Sequence, residues 1–223
     1  MDFDALRVSL ALALLTTLVL VPAGLMLARW LAYGHGRVRL LIEATLALPL
    51  ILPPTVLGYY LLSGFGVASP LGALYQQVFG APLAFSFTGL VIASVLFNVP
   101  FAVMPMQRAF AAISPDLLDA ARTCGLTRWR TLWRIELPLA WPGILSAAVM
   151  TVAHTLGEFG VVLMVGGNIP GETRTIAIAI YDRVQAFDMV SAGHMSAALL
   201  ALSLAALVVP AWLGRARGSY GLA

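Results

Sequence analysis

The sequence predicts an all-α, polytopic membrane protein with about five transmembrane helices. Of its 223 residues, 61% are hydrophobic and only 10% are charged, and the mean hydropathy is +0.93. Soluble domains are about half apolar and about a quarter charged, so the excess of apolar side chains indicates contact with lipid. We expect a single transmembrane domain that extends over residues 1–223.

Five apolar stretches are long enough to cross a bilayer, whose core of about 30 Å requires about 20 residues of helix. They lie approximately at Val8–Ala28, Val38–Leu62, Phe87–Met106, Pro142–Val165 and Met195–Leu213. The first stretch is not typical of a signal peptide, because its leader MDFDALR is not positively charged and its apolar run is long. We therefore count it as a membrane helix.

The arginines are distributed unevenly between the two sides that these five spans define. Three belong to one side: Arg7, Arg174 and Arg183. Ten belong to the other: Arg29, Arg37, Arg39, Arg108, Arg122, Arg128, Arg130, Arg134, Arg215 and Arg217. Cytoplasmic loops carry the excess of positive charge. The sequence therefore predicts an external N-terminus, a cytoplasmic C-terminus, a cytoplasmic loop at about 107–141 and an external loop at about 166–192.

Several function classes are disfavoured by what the sequence contains. The formal net charge of +3 is too small to indicate nucleic-acid binding. The sequence has no Walker A motif, and GHGRVR at residues 34–39 lacks the spacing of a dinucleotide-binding loop. The single cysteine, Cys124, has no metal-ligand companions at suitable spacing. We expect no catalysis, no cofactor and no metal site in this chain.

A compact charged segment, SPDLLDAARTCGLTRWRTLWRIELPLAWPG, interrupts the apolar sequence at residues 114–143. Ser114 followed by Pro115 is typical of a helix start, because a hydroxyl caps free N–H groups and proline fits the first turn. Gly125 is expected to end this helix at positive φ. Thr127 is then expected to cap a second helix.

The first of these two helices carries apolar side chains at helical spacing on one side, namely Leu117, Leu118 and Ala121. The second helix is expected to end before the fourth span, at Pro138 and Pro142. A small apolar knob flanked by charges suits a groove on a soluble partner. The alternative is an amphipathic pair of helices that lies on the membrane surface.

The same segment resembles the cytoplasmic loop of bacterial ABC-importer permeases. Their pattern is a Glu-Ala-Ala triplet, a glycine four residues later and an Ile-x-Leu-Pro tail. Here the triplet is Asp119-Ala120-Ala121, with aspartate in place of the commoner glutamate, and the tail is Ile135–Pro138. The resemblance implies a type I permease whose loop docks into a cleft on a separate ATPase. The implied coupling residues are Leu117, Leu118, Asp119, Ala120, Ala121 and Gly125.

Two further stretches, LPLILPPTVLGYYLL at 48–62 and HTLGEFGVVLMVGGNIPGETRTIAIAIYDRVQ at 154–185, are similar to the molybdate permease family. Permeases for sulfate, thiosulfate and tungstate are close relatives with similar patterns. The resemblance implies a homodimer in the bacterial inner membrane, two ATPase subunits and an external binding protein that delivers a tetrahedral oxyanion. A rival from another class is a channel or secondary carrier that works without ATP.

Five residues are candidates for the pathway or its gate. Pro53, Pro54 and Pro100 remove backbone hydrogen bonds within membrane helices and so predict bending points. Glu158 lies within the fourth predicted span, where ionisable groups are functional candidates. Because a carboxylate repels an anionic cargo, we expect a structural or gating role, with hydrogen bonds to His154 or to the backbone. Asn168, in the external loop, is the fifth candidate.

Overall fold

The computed structural model describes residues 1–218, and side chains as far as residue 208. Arg215, Arg217 and the end of the fifth predicted span therefore lie outside the described side chains. The regular elements of the described chain are all helices, joined by short connections, and it contains no strand. Its elements are α1 (Phe3–Tyr33), α2 (Arg37–Ile51), α3 (Pro54–Phe65), α4 (Pro70–Phe79), α5 (Phe87–Ala111), α6 (Pro115–Thr123), α7 (Arg128–Thr131), a π-helical turn (Leu132–Glu136), α8 (Leu137–Gly157), α9 (Gly160–Gly166), α10 (Ile176–Gln185) and α11 (Met189–Gly218).

Four helices are long and apolar enough to cross a membrane, judged by length and composition. They are Phe3–Tyr33, Phe87–Ala111, the continuous rod Arg128–Gly157 and Met189–Val208. A fifth span results if α2 and α3, which meet at an angle of 110°, are counted together. The all-α membrane fold with about five spans is confirmed.

The centre of the bundle is formed by α1, α5 and α8, whose facing side chains make the largest apolar core. Tyr33 at the end of α1 packs edge-on against Phe110 of α5, with 6.3 Å between ring centroids. Both helices therefore end beside α6, at what we call the α6 end. At the opposite end, the α10 end, the backbone N–H of Ile176 donates to Ser9 Oγ near the start of α1.

The second predicted span is not one helix. It breaks at Leu52 and Pro53 because Pro53 and Pro54 follow each other and Pro54 begins the new helix α3. Within the described residues, α2 contributes no buried side chain to this single chain.

The fourth predicted span differs at both ends. The prediction that Pro138 and Pro142 would end the preceding helix was wrong, because the chain runs without interruption from Arg128 to Gly157. A π-helical turn absorbs the irregularity before Pro138: the N–H of Leu137 donates to the carbonyl of Leu132, five residues earlier. The rod then stops at Gly157, and the short helix α9 follows after a break.

Candidate functional site

Helix α6 ends in a hydrogen-bonded glycine corner. The N–H of Gly125 donates to the carbonyl of Arg122 at 2.9 Å, and the N–H of Leu126 donates to that of Ala121 at 3.1 Å. This pair of bonds is the Schellman arrangement, which requires a residue in the left-handed region. Gly125 has a φ of +77°, as the sequence predicted for the corner.

The two predicted caps differ in the structure. Thr127 caps α7, because its Oγ1 accepts a hydrogen bond from the N–H of Arg130 at 3.3 Å. Ser114 occupies the N-cap position of α6, but among the described residues its side chain makes no capping bond. At the start of α6, the N–H groups of Leu117 and Leu118 instead donate to the backbone carbonyl of Ser114.

The three apolar side chains that the sequence predicts on one side of α6 do not all face the same way. Leu117 is 41% exposed and faces outward, whereas Ala121 is buried and Leu118 packs against the main core. Asp119 is exposed and pairs with Arg122 at 2.7 Å within the helix. Ala120 is exposed as well. Leu117, Asp119 and Ala120 thus form the accessible part of α6, while Leu118 and Ala121 fix α6 to the bundle.

A cavity of about 690 Å³ separates α6 from the end of α1. On its bundle side lie Arg29 and Glu136, which form a bidentate ion pair. Arg29 Nε is 2.5 Å from Glu136 Oε2, and Arg29 Nη2 is 2.8 Å from Glu136 Oε1. Glu136 is only 2% exposed, in the π-helical turn that follows α7. The pair therefore ties α1 to the segment that continues from α6.

Glu158 lies at the break between α8 and α9, not inside a helix as predicted. Its backbone has left the helical region, with φ −68° and ψ 129°. Its Oε1 accepts a hydrogen bond from the N–H of Val161 at 3.0 Å, which satisfies a free amide at the start of α9. Of the two predicted hydrogen-bond partners, the backbone is therefore confirmed. His154 bonds elsewhere.

The break between α8 and α9 lies near the break between α2 and α3, because α3 and α9 approach each other closely. A Cβ built on Gly160 would lie 2.8 Å from Pro54 Cβ, and one built on Gly58 would lie 2.8 Å from Met164 Cβ. Only glycine permits this spacing, because any side chain would displace the neighbouring helix. Pro53 and Pro54 thus lie beside the break that contains Glu158. The structure therefore brings together three of the five gate candidates.

A polar network crosses the centre of the bundle between α1, α5 and α8. Asn98 donates from Nδ2 to the Ser94 carbonyl at 2.8 Å, and Thr16 Oγ1 donates to Ser94 Oγ at 2.9 Å. Asn98 Oδ1 lies 3.0 Å from His154 Nδ1. Since the Asn98 amide nitrogen is already bonded to Ser94, Oδ1 is the acceptor and His154 Nδ1 carries the proton. Phe101 stacks on His154, with 3.8 Å between centroids.

Pro100 lines a groove of about 410 Å³ between α5 and α8. The helices are close at Gly143, where a Cβ would lie 2.9 Å from the Pro105 carbonyl oxygen. The groove wall is mainly apolar, and its charged member is Arg108 near the α6 end. The described lining of the groove therefore offers few polar groups.

Asn168 belongs to a network at the α10 end. Its Nδ2 donates to Asp182 at 2.8 and 3.0 Å, and its Oδ1 accepts from Arg174 Nε at 2.6 Å. Arg174 also lies 3.9 Å from Asp2, at the start of α1. The structure therefore places Asn168 in a connection between the loop before α10, α10 itself and α1. It does not bring Asn168 to the other gate candidates.

Sequence reasoning missed Asn98, Arg29 and Glu136. Asn98 could have been found as an isolated amide in the apolar run LFNVPF, and Glu136 as a carboxylate between apolar residues in IELP. Their partners lie 56 and 107 residues away in the chain, a relation that no local pattern carries. Over the described residues, no three His, Cys, Asp or Glu side chains are grouped to hold a metal ion.

Curated relatives align with nearly the whole chain. The Molybdenum transport system permease protein ModB of Azotobacter vinelandii is 46% identical over 206 residues, which is 92% of this chain and 91% of that protein. ModB of Escherichia coli (strain K12) is 36% identical over 96% of this chain and 94% of its own length. The Probable sulfate transport system permease protein cysT of Chlorokybus atmophyticus is 30% identical over 88% of this chain and 68% of its own. These relatives are transport permeases, not enzymes.

The fold is also that of a solved transporter. The crystal structure of a bacterial alginate ABC transporter, in complex with an alginate pentasaccharide-bound periplasmic protein, matches with a TM-score of 0.77. The match covers 99% of this chain and 80% of the other, at 18% identity, and so shows the fold alone.

The family model described as "Binding-protein-dependent transport system inner membrane component" matches residues 20–216. The apolar helices and the relatives agree with this match. The chain is therefore a multi-pass inner-membrane protein that belongs to the family of inner-membrane components of binding-protein-dependent transport systems.

Proposed function

We propose that this chain is the permease subunit of an ATP-driven importer for a tetrahedral oxyanion, with molybdate as the cargo. It forms the translocation pathway as a homodimer, couples to two ATP-binding subunits and receives the anion from an external binding protein. ATP is hydrolysed on the partner subunits, so the chain itself carries no catalytic residue and no cofactor. Identity of 46% to a molybdenum permease over 92% of the chain supports this cargo.

The observation that carries the coupling role is the α6 corner. A short helix ends at a left-handed glycine, with Leu117 and Asp119 accessible and a cavity behind it. We propose that this face docks into a cleft on the ATP-binding subunit. In this assignment Leu117, Asp119 and the exposed Ala120 contact the partner, Leu118 and Ala121 support the helix, and Gly125 sets its direction.

We propose that the α6 end is cytoplasmic and the α10 end external, with the N-terminus outside and the C-terminus inside. The arginine asymmetry supports this orientation. Trp129 and Trp133 also lie exposed beside Arg130 and Arg134 in the rod that follows the corner. Tryptophan is enriched at both membrane interfaces, so Trp129 and Trp133 support a position of this part of the rod at an interface, and the arginines alone assign its side.

The pathway candidates take two roles in this proposal. Pro53, Pro54 and Glu158 surround the paired helix breaks and serve as the bending region of the gate. Pro100 lies on the α5–α8 groove, which we propose as the wall of the anion pathway. Asn168 holds the external loop in place beside α10, where the binding protein docks.

The test is uptake of radiolabelled molybdate by proteoliposomes that contain this chain, its ATP-binding partner and its binding protein. We expect uptake that requires ATP and that excess unlabelled molybdate abolishes. A stronger effect of unlabelled sulfate or tungstate would identify the cargo as that anion. Uptake at the same rate without ATP would instead assign a channel or secondary carrier.

Two further measurements test assembly and orientation. The mass of the detergent-solubilised complex should correspond to two copies of this chain and two ATP-binding subunits, and one copy would contradict the homodimer. A reporter inserted after Gly125 should be cytoplasmic, and one at Gly171 should be external. Both reporters on the same side would contradict the orientation.

A further inference from the structure

The ion pair of Arg29 and the buried Glu136 joins the end of α1 to the π-helical turn, beside the cavity that lies between α1 and α6. Arg29 lies in the last turns of α1, and Glu136 lies in the π-helical turn between α7 and α8. Leu118 and Ala121 anchor α6 on one side of the 690 Å³ space, and Arg29 and Glu136 line the other. The ion pair is therefore placed where a displacement of the α6–α7 segment would reach α1.

The pair is held in one geometry. Two parallel contacts of 2.5 and 2.8 Å join guanidinium and carboxylate, and a bidentate contact fixes orientation as well as distance. The Arg29 guanidinium carbon also lies 5.7 Å from the centre of the Tyr33 ring. That ring packs edge-on against Phe110 of α5. Movement of Glu136 would thus move Arg29, and with it the junction of α1 and α5.

Stability alone is a poor explanation for such a pair. Well-packed apolar side chains of similar volume are often as stabilising as a buried ion pair, because both charges lose their hydration. What an ion pair adds is a preferred arrangement of its two partners. Here that arrangement connects a rod that begins at the glycine corner with a helix that crosses the centre of the bundle.

We propose that Arg29 and Glu136 are positioning residues for coupling: their bidentate contact passes the displacement of the α6–α7 segment to α1, and hence to the pathway. This inference rests on the proposed function, since it requires a partner that moves α6. It assigns a transmission role to residues that neither touch the cargo nor belong to the docking face.

The experiment measures molybdate uptake and ATP hydrolysis in the same proteoliposomes, with the complete complex of permease, ATP-binding subunits and binding protein. Glu136→Gln and Arg29→Gln keep side-chain size or polarity but remove the charged bidentate grip. We expect each to lower uptake per ATP hydrolysed by about tenfold, the order by which residues on a coupling route change coupling. ATP hydrolysis itself should continue, because the docking face is unaltered.

Two double variants separate transmission from packing. The charge swap Arg29→Glu with Glu136→Arg restores a pair across the same gap and should recover much of the uptake per ATP. The apolar pair Arg29→Met with Glu136→Leu fills the space without a directed contact and should remain uncoupled. Because both double variants satisfy the buried space, they also serve if a single variant fails to fold.

A matched control is Arg39→Gln. Arg39 pairs with Glu43 at 3.2 Å within α2, near the same end of the bundle. Arg39 also donates to the Gly34 carbonyl at the end of α1, and Glu43 accepts from Gln107 of α5. These contacts reach α1 and α5 but not the π-helical turn, so the variant disturbs this end of the bundle without touching the proposed route. Uptake per ATP should stay close to that of the natural sequence. Normal coupling in Glu136→Gln, Arg29→Gln and the apolar pair would overturn the inference. Absence of ATP-dependent uptake with the natural sequence would instead overturn the proposed function.

Discussion

The two ends of α1 are both tied by an arginine to a carboxylate, but the two contacts differ in kind. At the α6 end, Arg29 contacts Glu136 at 2.5 and 2.8 Å; Arg29 is 28% exposed, but Glu136 is only 2% exposed. At the α10 end, Arg174 lies 3.9 Å from Asp2, and both side chains are about a quarter exposed (27% and 25%). The difference therefore lies in the carboxylates. Losing the partner of a buried carboxylate leaves an uncompensated charge in the protein interior, whereas a pair in which both side chains reach water contributes less. The comparison indicates a fixed joint at the first end and an adaptable one at the second.

The largest effect should come from removing one charge of the buried pair. Arg29→Met alone should destabilise the chain by about 3 kcal/mol, because Glu136 stays buried without a partner. Glu136→Leu alone should cost less, because Arg29 is 28% exposed and lines the cavity, where water can reach it. Denaturant unfolding in detergent micelles measures this. The double variant should regain most of the loss, and single variants as stable as the natural sequence would remove the distinction between the two ends.

Gly125→Val tests the α6 end through its backbone. Valine at a φ of +77° costs about 1–3 kcal/mol of local strain, although no described atom lies within 4 Å of the added Cβ. We expect the chain to insert normally but to lose molybdate uptake and co-purification of the ATP-binding subunit. Asparagine tolerates the left-handed region better, so Gly125→Asn should keep part of the activity.

Gly80 supplies the matched position away from α6. It caps α4 with a φ of +73°, and again no described atom lies within 4 Å of its added Cβ. Gly80→Val should carry a similar local strain but leave binding of the ATP-binding subunit intact. Equal loss of that binding in both variants would show that strain alone, irrespective of place, explains the result.

A smaller effect is expected at the caps. Thr127→Ala removes the side-chain acceptor for the Arg130 amide and should cost about 1 kcal/mol. Ser114→Ala should leave the free energy of unfolding unchanged, since in the described chain the Ser114 hydroxyl caps nothing. Denaturant unfolding of the two variants side by side checks this, and equal losses would contradict the assigned hydrogen bonds.

The smallest effect should come from Asp2→Asn at the α10 end. Asparagine caps a helix as well as aspartate does, so the bond from the Ala5 amide is kept while the contact to Arg174 loses its charge. The loss should be about 0.5 kcal/mol and should shrink at high salt, because exposed ion pairs are weak and screened. A loss as large as that of Arg29→Met would show that both ends are fixed joints.

The sequence predicted the features that depend on neighbouring residues. Apolar stretches gave the membrane helices, and the spacing of Gly125 and Thr127 gave the corner and its second helix. The prediction that the helix ends at Pro138 was wrong, because a π-helical turn lets the helix continue past this proline. Glu158 was placed inside a helix since its apolar surroundings concealed the break after Gly157.

The contacts between distant residues were beyond local patterns. Nothing near Arg29 in the chain indicates a carboxylate partner 107 residues later. Likewise, the bond between Asn98 and His154 depends on how α5 packs against α8. Packing geometry decides such pairs, and composition and periodicity do not report it.

The π-helical turn at Leu132–Glu136 determines which side of the bundle the residues before it and after it face. A helix advances about 100° with each residue, and a π-helical turn accommodates an additional residue without ending the helix. The turn thus changes the rotation of the segment before it, about the helix axis, relative to the segment after it. The direction that Trp129 and Trp133 face around the helix axis is therefore independent of the direction that Ser146 and Met150 face on the groove. Deleting a single residue there would rotate one segment against the other by about 100° without shortening the membrane span appreciably.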